Sequence, residues 1–311
     1  MFRFIANRFL QGLLVLFALY TITFFLAKAM PGEPFTTEKN VSEETKRNQR
    51  EAFGLNRPLW VQYISYPWKV VTEGSLGIST AKGKPVRDII GQSFPVSVVL
   101  GITALGFAVM IGVPLGVISA VRKNSWVDWG SMAIAMIGIC VPAFTIGPLL
   151  QIWVAAKLPG IKVAGWGAPL DILLPAITLG LITAAYLARL TRGGMLEILS
   201  QDYIRTAHAK GVPNSKVITR HALRGGLLPS VAYIGPAFAA LISGSFIVET
   251  IFQVPGMGQH FVNAVKDRDE FLLLGVALFF GLLIVIMNLF SDILTGILDP
   301  RVRLGEGAEA K

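Results

Sequence analysis

Cysteine, histidine and charge are all scarce in this chain of 311 residues. A single cysteine, Cys140, rules out an internal disulfide, and its place inside an apolar run reads as a small buried hydrophobe. Three histidines, His208, His221 and His260, stand too far apart to suggest a shared metal. Charged residues are 15% of the chain, against roughly 25% in soluble domains, while 53% are hydrophobic. That balance excludes an ordinary soluble globule. No G-x-x-x-x-G-K-[ST] run is present. Gly83-Lys84-Pro85 lacks the upstream glycine spacing and the Ser/Thr, so the chain has no P-loop of its own. H-E-x-x-H is missing, and no Ser/His/Asp set can be argued. Ionisable groups within the apolar runs are few: Lys28 and Glu249 at run ends, Asp292 near the end of the last. An ion-coupled carrier wants carboxylates near the bilayer midplane, so their scarcity counts against that class.

What is abundant is apolar length. Six segments suffice to cross a hydrocarbon core of about 30 Å, which takes about 20 residues. They are residues 9–30, 96–121, 129–156, 171–190, 228–248 and 272–296. The expected fold is an all-α membrane protein with six transmembrane helices. A cytoplasmic loop joins spans four and five, and a small helical external loop joins spans one and two. With both termini cytoplasmic, the short inner segments carry fourteen Lys and Arg against four in the short outer ones. That asymmetry sets the orientation. The apolar part of the first span, residues 10–26, exceeds the roughly 7–15 residues of a signal-peptide core, so a retained helix is expected. The net charge of +9 reads as topology and headgroup contact, not nucleic-acid binding. The chain divides into residues 1–30, an external loop 31–95, a core 96–298 and a tail 299–311.

In the external loop, residues 42–53 read as a charged helix stopped by Gly54. Residues 58–71 read as an aromatic-rich helix that Pro67 breaks or kinks. Its Trp60, Tyr63, Tyr66 and Trp68 suit a membrane–water interface. A covering role and a docking role both remain open for this loop. In the second span Ala104, Ala108, Gly112, Gly116 and Ala120 recur at every fourth position, a smooth stripe that predicts close helix packing. Pro114, Pro142, Pro148, Pro175 and Pro236 lie inside spans, where proline kinks a helix and frees carbonyls. No internal repeat is visible.

The most informative stretch is residues 191–228. It sets Arg192, Arg205, Lys210, Lys216, Arg220 and Arg224 against Glu197 and Asp202, between two apolar spans. Residues 197–210 read as a helix, with Asp202 near its start and Lys210 at its end, as the helix dipole prefers. Gly211-Val212-Pro213 is a stop. Asn214 or Ser215 caps a second helix over residues 216–223. Two short helices and a sharp turn make a rigid knob. The plainer alternative is a basic loop resting on anionic lipid.

Asp202-Tyr203-Ile204-Arg205-Thr206-Ala207-His208-Ala209-Lys210-Gly211 is similar to the cytoplasmic coupling loop of bacterial ATP-binding-cassette importer permeases. His221-Ala222-Leu223 and Leu227-Leu228-Pro229 continue the likeness. So do Met30-Pro31-Gly32-Glu33-Pro34, Phe53-Gly54-Leu55-Asn56-Arg57-Pro58, Gly74-Ser75-Leu76-Gly77-Ile78-Ser79, Glu249-Thr250-Ile251-Phe252, Pro255-Gly256-Met257-Gly258-Gln259 and Asp299-Pro300-Arg301. The chain resembles the dipeptide/oligopeptide branch, in the oligopeptide-permease "B" type of membrane subunit. His208 stands where that family usually has Arg, and Thr206-Ala207-His208 replaces the Glu-Ala-Ala consensus of the wider superfamily.

The resemblance implies a heteromeric importer in a bacterial cytoplasmic membrane, moving peptides. The chain would pair with a second, homologous permease. Two ATPase subunits would use ATP and Mg, and an external peptide-binding protein would deliver cargo. This chain would bind no cofactor and carry no catalytic residue. Asp202, Tyr203, Arg205, Thr206, Ala207, His208, Lys210 and Gly211 would couple it to the ATPases. Pro142, Ser243, Gly244 and Ser245 are the candidates for the translocation path. Other expectations stay in view: the same importer with a nickel chelate, glutathione or sugar as cargo, a self-sufficient carrier or channel, or a scaffold without transport.

Overall fold

The computed structural model describes residues 2–30, 51, 53–158, 160–243 and 246–298. Among them every regular element is helical, and an isolated antiparallel bridge pairs Ile78 with Pro85. The chain divides into two compact units. The first is Met1–Arg8, Ser97–Val254 and Ile284–Lys311; the second is Phe9–Val96 and Pro255–Leu283. Among the described residues, four helices are long and apolar enough to cross a membrane, and two bent pairs raise the number to six if each pair is one span.

Helix α1 runs over Phe2–Ala29. The charged helix expected over residues 42–53 lies almost wholly outside the described residues. Helix α2, Leu59–Glu73, passes through Pro67 without a break. Proline has no N–H for the carbonyl four residues back, which here belongs to Tyr63. The Tyr20 hydroxyl donates to that carbonyl at 2.6 Å, and Thr21 Oγ1 meets the Tyr63 hydroxyl at 2.7 Å. Rings from three helices complete the second unit's centre. Tyr20 stacks on Tyr66 with centroids 5.9 Å apart, and Tyr66 faces Phe271 at 6.2 Å.

Helix α3 begins at Val86, ten residues before the expected span, and ends at Val121. Arg87, Asp88 and Gln92 made this first part look like loop. Val86, Ile89 and Ile90 between them are buried, and pack with Met257, Leu272 and Leu273. At about 1.5 Å per residue such a helix is about 54 Å long and outruns the hydrocarbon.

The expected third span is two helices, α4 (Trp126–Cys140) and α5 (Ala143–Ala155), bent by 102°. Val141 is extended at φ −85°, ψ 118°, as a residue before proline prefers, and Pro142 opens α5. Cys140 closes α4 and is exposed, not buried. Helix α6, Leu173–Leu199, outlasts the expected fourth span by nine residues. Helices α7 (Asp202–Ala209) and α8 (Asn214–Gly226) follow. Helix α9, Leu228–Ile242, stops short of the expected fifth span, and α10 (Phe246–Phe252) is separate. Pro236 in α9 repeats the device of Pro67. It leaves the Ala232 carbonyl without its helical donor, and Ser291 Oγ donates there at 2.7 Å. Helices α11 (Met257–Lys266) and α12 (Glu270–Leu298) complete the chain.

The stripe of small residues packs as expected. A Cβ on Gly116 would sit 2.5 Å from the Ala188 carbonyl oxygen, and one on Gly112 would strike that of Ala184. Ala104 and Ala108 are fully buried on the same face. α3 and α6 therefore touch backbone to backbone, which only small residues permit.

Candidate coupling site

The loop between α6 and α9 is built around one buried isoleucine. Ile204 is 2% exposed and lies with Ala120, Met195, Val217 and Ala222, flanked by Ala207 and Val212. Ile204 and Ala207 are three apart, so one stripe of α7 anchors while its other residues stay free. This packing corrects the expected single helix over residues 197–210. α6 ends at Leu199, Gln201 is extended at ψ 149°, and α7 starts afresh at Asp202. A continuous helix would have carried Ile204 straight on past Met195; the turn folds it back onto that residue.

Tyr203, Arg205, Thr206, His208 and Lys210 are exposed, as are Lys216, Arg220, His221 and Arg224 on α8. The free face of the knob is thus polar and basic. Arg205 Nη1 reaches Asp202 Oδ1 at 3.4 Å across one helical turn. Both groups are solvent-exposed, so this pair contributes about 0–1 kcal/mol at most.

Gly211 closes α7 by its backbone. Its φ is +77°, a left-handed conformation that disfavours a Cβ. The Gly211 N–H donates to the His208 carbonyl at 2.9 Å, and the Val212 N–H to that of Ala207 at 3.2 Å. These bonds form a Schellman cap, and Val212 joins Ala207 in the apolar cluster. Among the described residues, its two chain neighbours aside, no atom lies within 4 Å of a Cβ placed on Gly211, so the constraint is conformational. Pro213 then starts α8, which spans more residues than the expected 216–223 and holds a π-helical turn at Val217–Ala222.

The knob stands on a packed stem. Thr191 Oγ1 meets Ser230 Oγ at 2.8 Å, both buried, and Gly194 lies directly against the Gly226 carbonyl. Asp128, 3% exposed in the first turn of α4, accepts from Arg192 Nε at 2.7 Å and Arg192 Nη2 at 2.8 Å. The Ser119 hydroxyl and the Asn124 N–H also donate to it. Sequence reasoning missed this pair, because each partner looked like a charge flanking a span. The available signal was a lone carboxylate one residue before an apolar run, with an arginine one turn past another.

The candidate path residues are only partly brought together. Pro142 is exposed at the α4–α5 break, and Ser243 closes α9 with its hydroxyl on the Ala240 carbonyl at 2.9 Å. Gly244 and Ser245 lie outside the described residues. The helices after the two breaks do meet, since a Cβ on Gly147 of α5 would lie 3.3 Å from both Ile251 and Phe252 of α10. Glu249, expected at a span end, is completely buried within α10.

Residues 112–304 match the family of binding-protein-dependent transport system inner membrane components. Residues 1–101 match the N-terminal family of the same membrane components. The chain belongs to this family and is a multi-pass inner-membrane protein. Among individual relatives, it is 41% identical to the oligopeptide transport system permease protein OppB of Escherichia coli, over 97% of this chain and 100% of that one. It is 39% identical to the dipeptide transport system permease protein DppB of Bacillus subtilis, over 98% and 99% of the two chains. A solved structure of the MetNI methionine ABC transporter, in an inward-facing conformation, superposes with a TM-score of 0.59 at 16% identity. That match covers 68% of this chain and 96% of the other, and shows a shared fold.

Proposed function

We propose that this chain is the membrane-spanning subunit of an ATP-binding-cassette importer of peptides, with six spans and both termini cytoplasmic. It pairs with a second permease of the same kind. Two ATPase subunits hydrolyse MgATP, and an external binding protein delivers the peptide. The observation that carries this reading is the form of α7. Ile204 fixes the helix to the stem, Gly211 ends it sharply, and a polar ridge of Tyr203, Arg205, Thr206, His208 and Lys210 faces outward. A helix gripped on one face and free on the other can be pushed by a partner without unfolding. ATP favours one state of the ATPase pair, and α7 carries that preference into the spans. The break at Pro142 and the end of α9 at Ser243 are the places where the spans change shape and line the path.

The test is uptake of labelled peptide by proteoliposomes that hold the complete complex, with nickel chelate and glutathione as competing cargo. Peptide uptake that requires ATP, both ATPases and the binding protein is the expected result. Uptake by this chain alone would overturn the reading. Within that assay, Gly211→Val lowers uptake at least tenfold while the chain still reaches the membrane. Gly211→Asn loses far less, because asparagine tolerates positive φ. Wild-type uptake by Gly211→Val would remove Gly211 from the coupling set.

A further inference from the structure

The surfaces of α4 and α6 that meet are apolar, with small residues at the centre and Met132 and Ile139 of α4 packed beside them. Ala135, Ala185 and Ala188 are buried between them, and a Cβ on Gly138 would lie 3.4 Å from that of Ala185. Apolar contacts of this kind carry no directional bond. One contact between them is of the opposite kind: the two-point fork of Arg192 on Asp128 fixes both distance and angle. The fork is reinforced from α3 by the Ser119 hydroxyl, and from the α3–α4 turn by the Asn124 N–H at 3.0 Å. Asn124 holds a φ of +62° to supply that donor, and the Ser125 hydroxyl caps the Asp128 N–H.

Position adds meaning to the chemistry. Arg192 lies three residues before Met195, which is fully buried in the cluster that seats Ile204. The pair is therefore about 4.5 Å along α6 from the seat of the coupling helix. From Asp128, α4 runs twelve residues to Cys140 and the Val141–Pro142 break, about 18 Å away. A helix held by a directional bond at one end and by non-directional apolar contacts along the rest can turn about that end.

We infer that the Asp128–Arg192 pair is the pivot through which movement of the coupling helix reaches the Pro142 elbow, with Arg192 and Asp128 as positioning residues for transport. This inference rests on the importer reading above. It assigns the pair to transmission rather than to ATPase docking, since Asp128 is buried away from the exposed ridge of α7.

The experiment measures peptide uptake and ATP hydrolysis together in the reconstituted complex. The variants are Arg192→Lys, Asp128→Asn, Ser119→Ala, the single changes Asp128→Arg and Arg192→Asp, and the reversed pair that combines them. Arg192→Lys keeps the charge and loses the fork. It is expected to lower the ratio of peptide imported to ATP hydrolysed about tenfold, while the complex still co-purifies. Ser119→Ala lowers the ratio a few-fold, and the reversed pair recovers part of what either single change loses. Uptake and hydrolysis that fall together, leaving the ratio at its wild-type value, would overturn the inference. Loss of assembly by Arg192→Lys would overturn it too, because the pair would then serve folding alone. Wild-type complex that imports no peptide would instead sink the underlying reading, with the variants playing no part in that outcome.

Discussion

In the unit that carries α7, α3 and α6 meet through Gly112, Gly116 and a row of alanines, backbone against backbone. In the other unit, α1, α2 and the start of α12 meet through rings and charges. Tyr20, Phe24, Tyr63 and Tyr66 interlock there, and Lys28 bridges Glu270 and the Gln62 side chain at 2.6 Å each. Ser79 and the N–H groups of Ala81 and Leu272 all bond the buried Asp269 carboxylate. The first interface gains dispersion and close approach without directional bonds between its apolar faces. The second is locked by directional contacts, each of which has one good geometry. A transporter needs both kinds.

This comparison can be broken at its strongest point first. Gly116→Leu places a side chain where a Cβ alone meets the Ala188 carbonyl at 2.5 Å and Thr191 Cβ at 2.6 Å. Neither neighbour has a flexible end to give way. The expected cost is about 3 kcal/mol or more, read as loss of the monodisperse species in detergent. A well-behaved Gly116→Leu protein would mean that α3 and α6 are not in backbone contact. The proline rescues test the directional side more gently. Tyr20→Phe leaves the Tyr63 carbonyl without its donor and should cost about 1–2 kcal/mol. Ser291→Ala does the same to the Ala232 carbonyl, for about 1 kcal/mol. Restoring the missing N–H by Pro67→Ala should make Tyr20→Phe nearly neutral, which a double-mutant cycle on thermal unfolding would reveal.

The smallest effect concerns acid. His260 Nε2 meets Ser93 Oγ at 2.8 Å, and its Nδ1 meets Lys82 Nζ at 2.9 Å. Burial first, and the Lys82 charge second, push its pKa from 6.5 down to about 4. Burial also lowers the Lys82 pKa, against Asp267 and Asp269, which raise it. The fold thus favours the neutral imidazole. Its contribution is complete above the ordinary value of 6.5 and is lost as pH falls from there toward about 4. Unfolding temperature should drop by about 2–4 °C more across that window in the wild type than in His260→Gln. Equal drops would remove His260 from the account.

Much of this architecture was readable in advance, and the misreadings share a cause. Apolar runs located every long helix, because burial in lipid demands continuous hydrophobicity. The fourfold spacing of small residues foretold the α3–α6 contact. Gly211 and Pro213 foretold the end of α7, since backbone geometry there is local. The start of α3 was misplaced by ten residues because Arg87 and Asp88 mask the buried face of Val86, Ile89 and Ile90. The α6–α7 boundary was missed because residues 197–210 are helix-compatible throughout, and only the seat for Ile204 breaks them in two. Pro67 does not break α2, since the Tyr63 carbonyl that it leaves unmet is satisfied by Tyr20, forty-three positions before Tyr63.

Composition, apolar length and the sequence motifs together determine a multi-pass membrane chain of the binding-protein-dependent permease family. These are properties of single segments, fixed by solvation and backbone conformation that neighbours do not alter. The tertiary structure alone decides which charge meets which. It joins Arg192 to Asp128, hands Tyr20 and Ser291 to carbonyls freed by distant prolines, and turns one expected span through 102°. Partners so far apart in sequence are chosen by packing, and packing is a property of the whole chain.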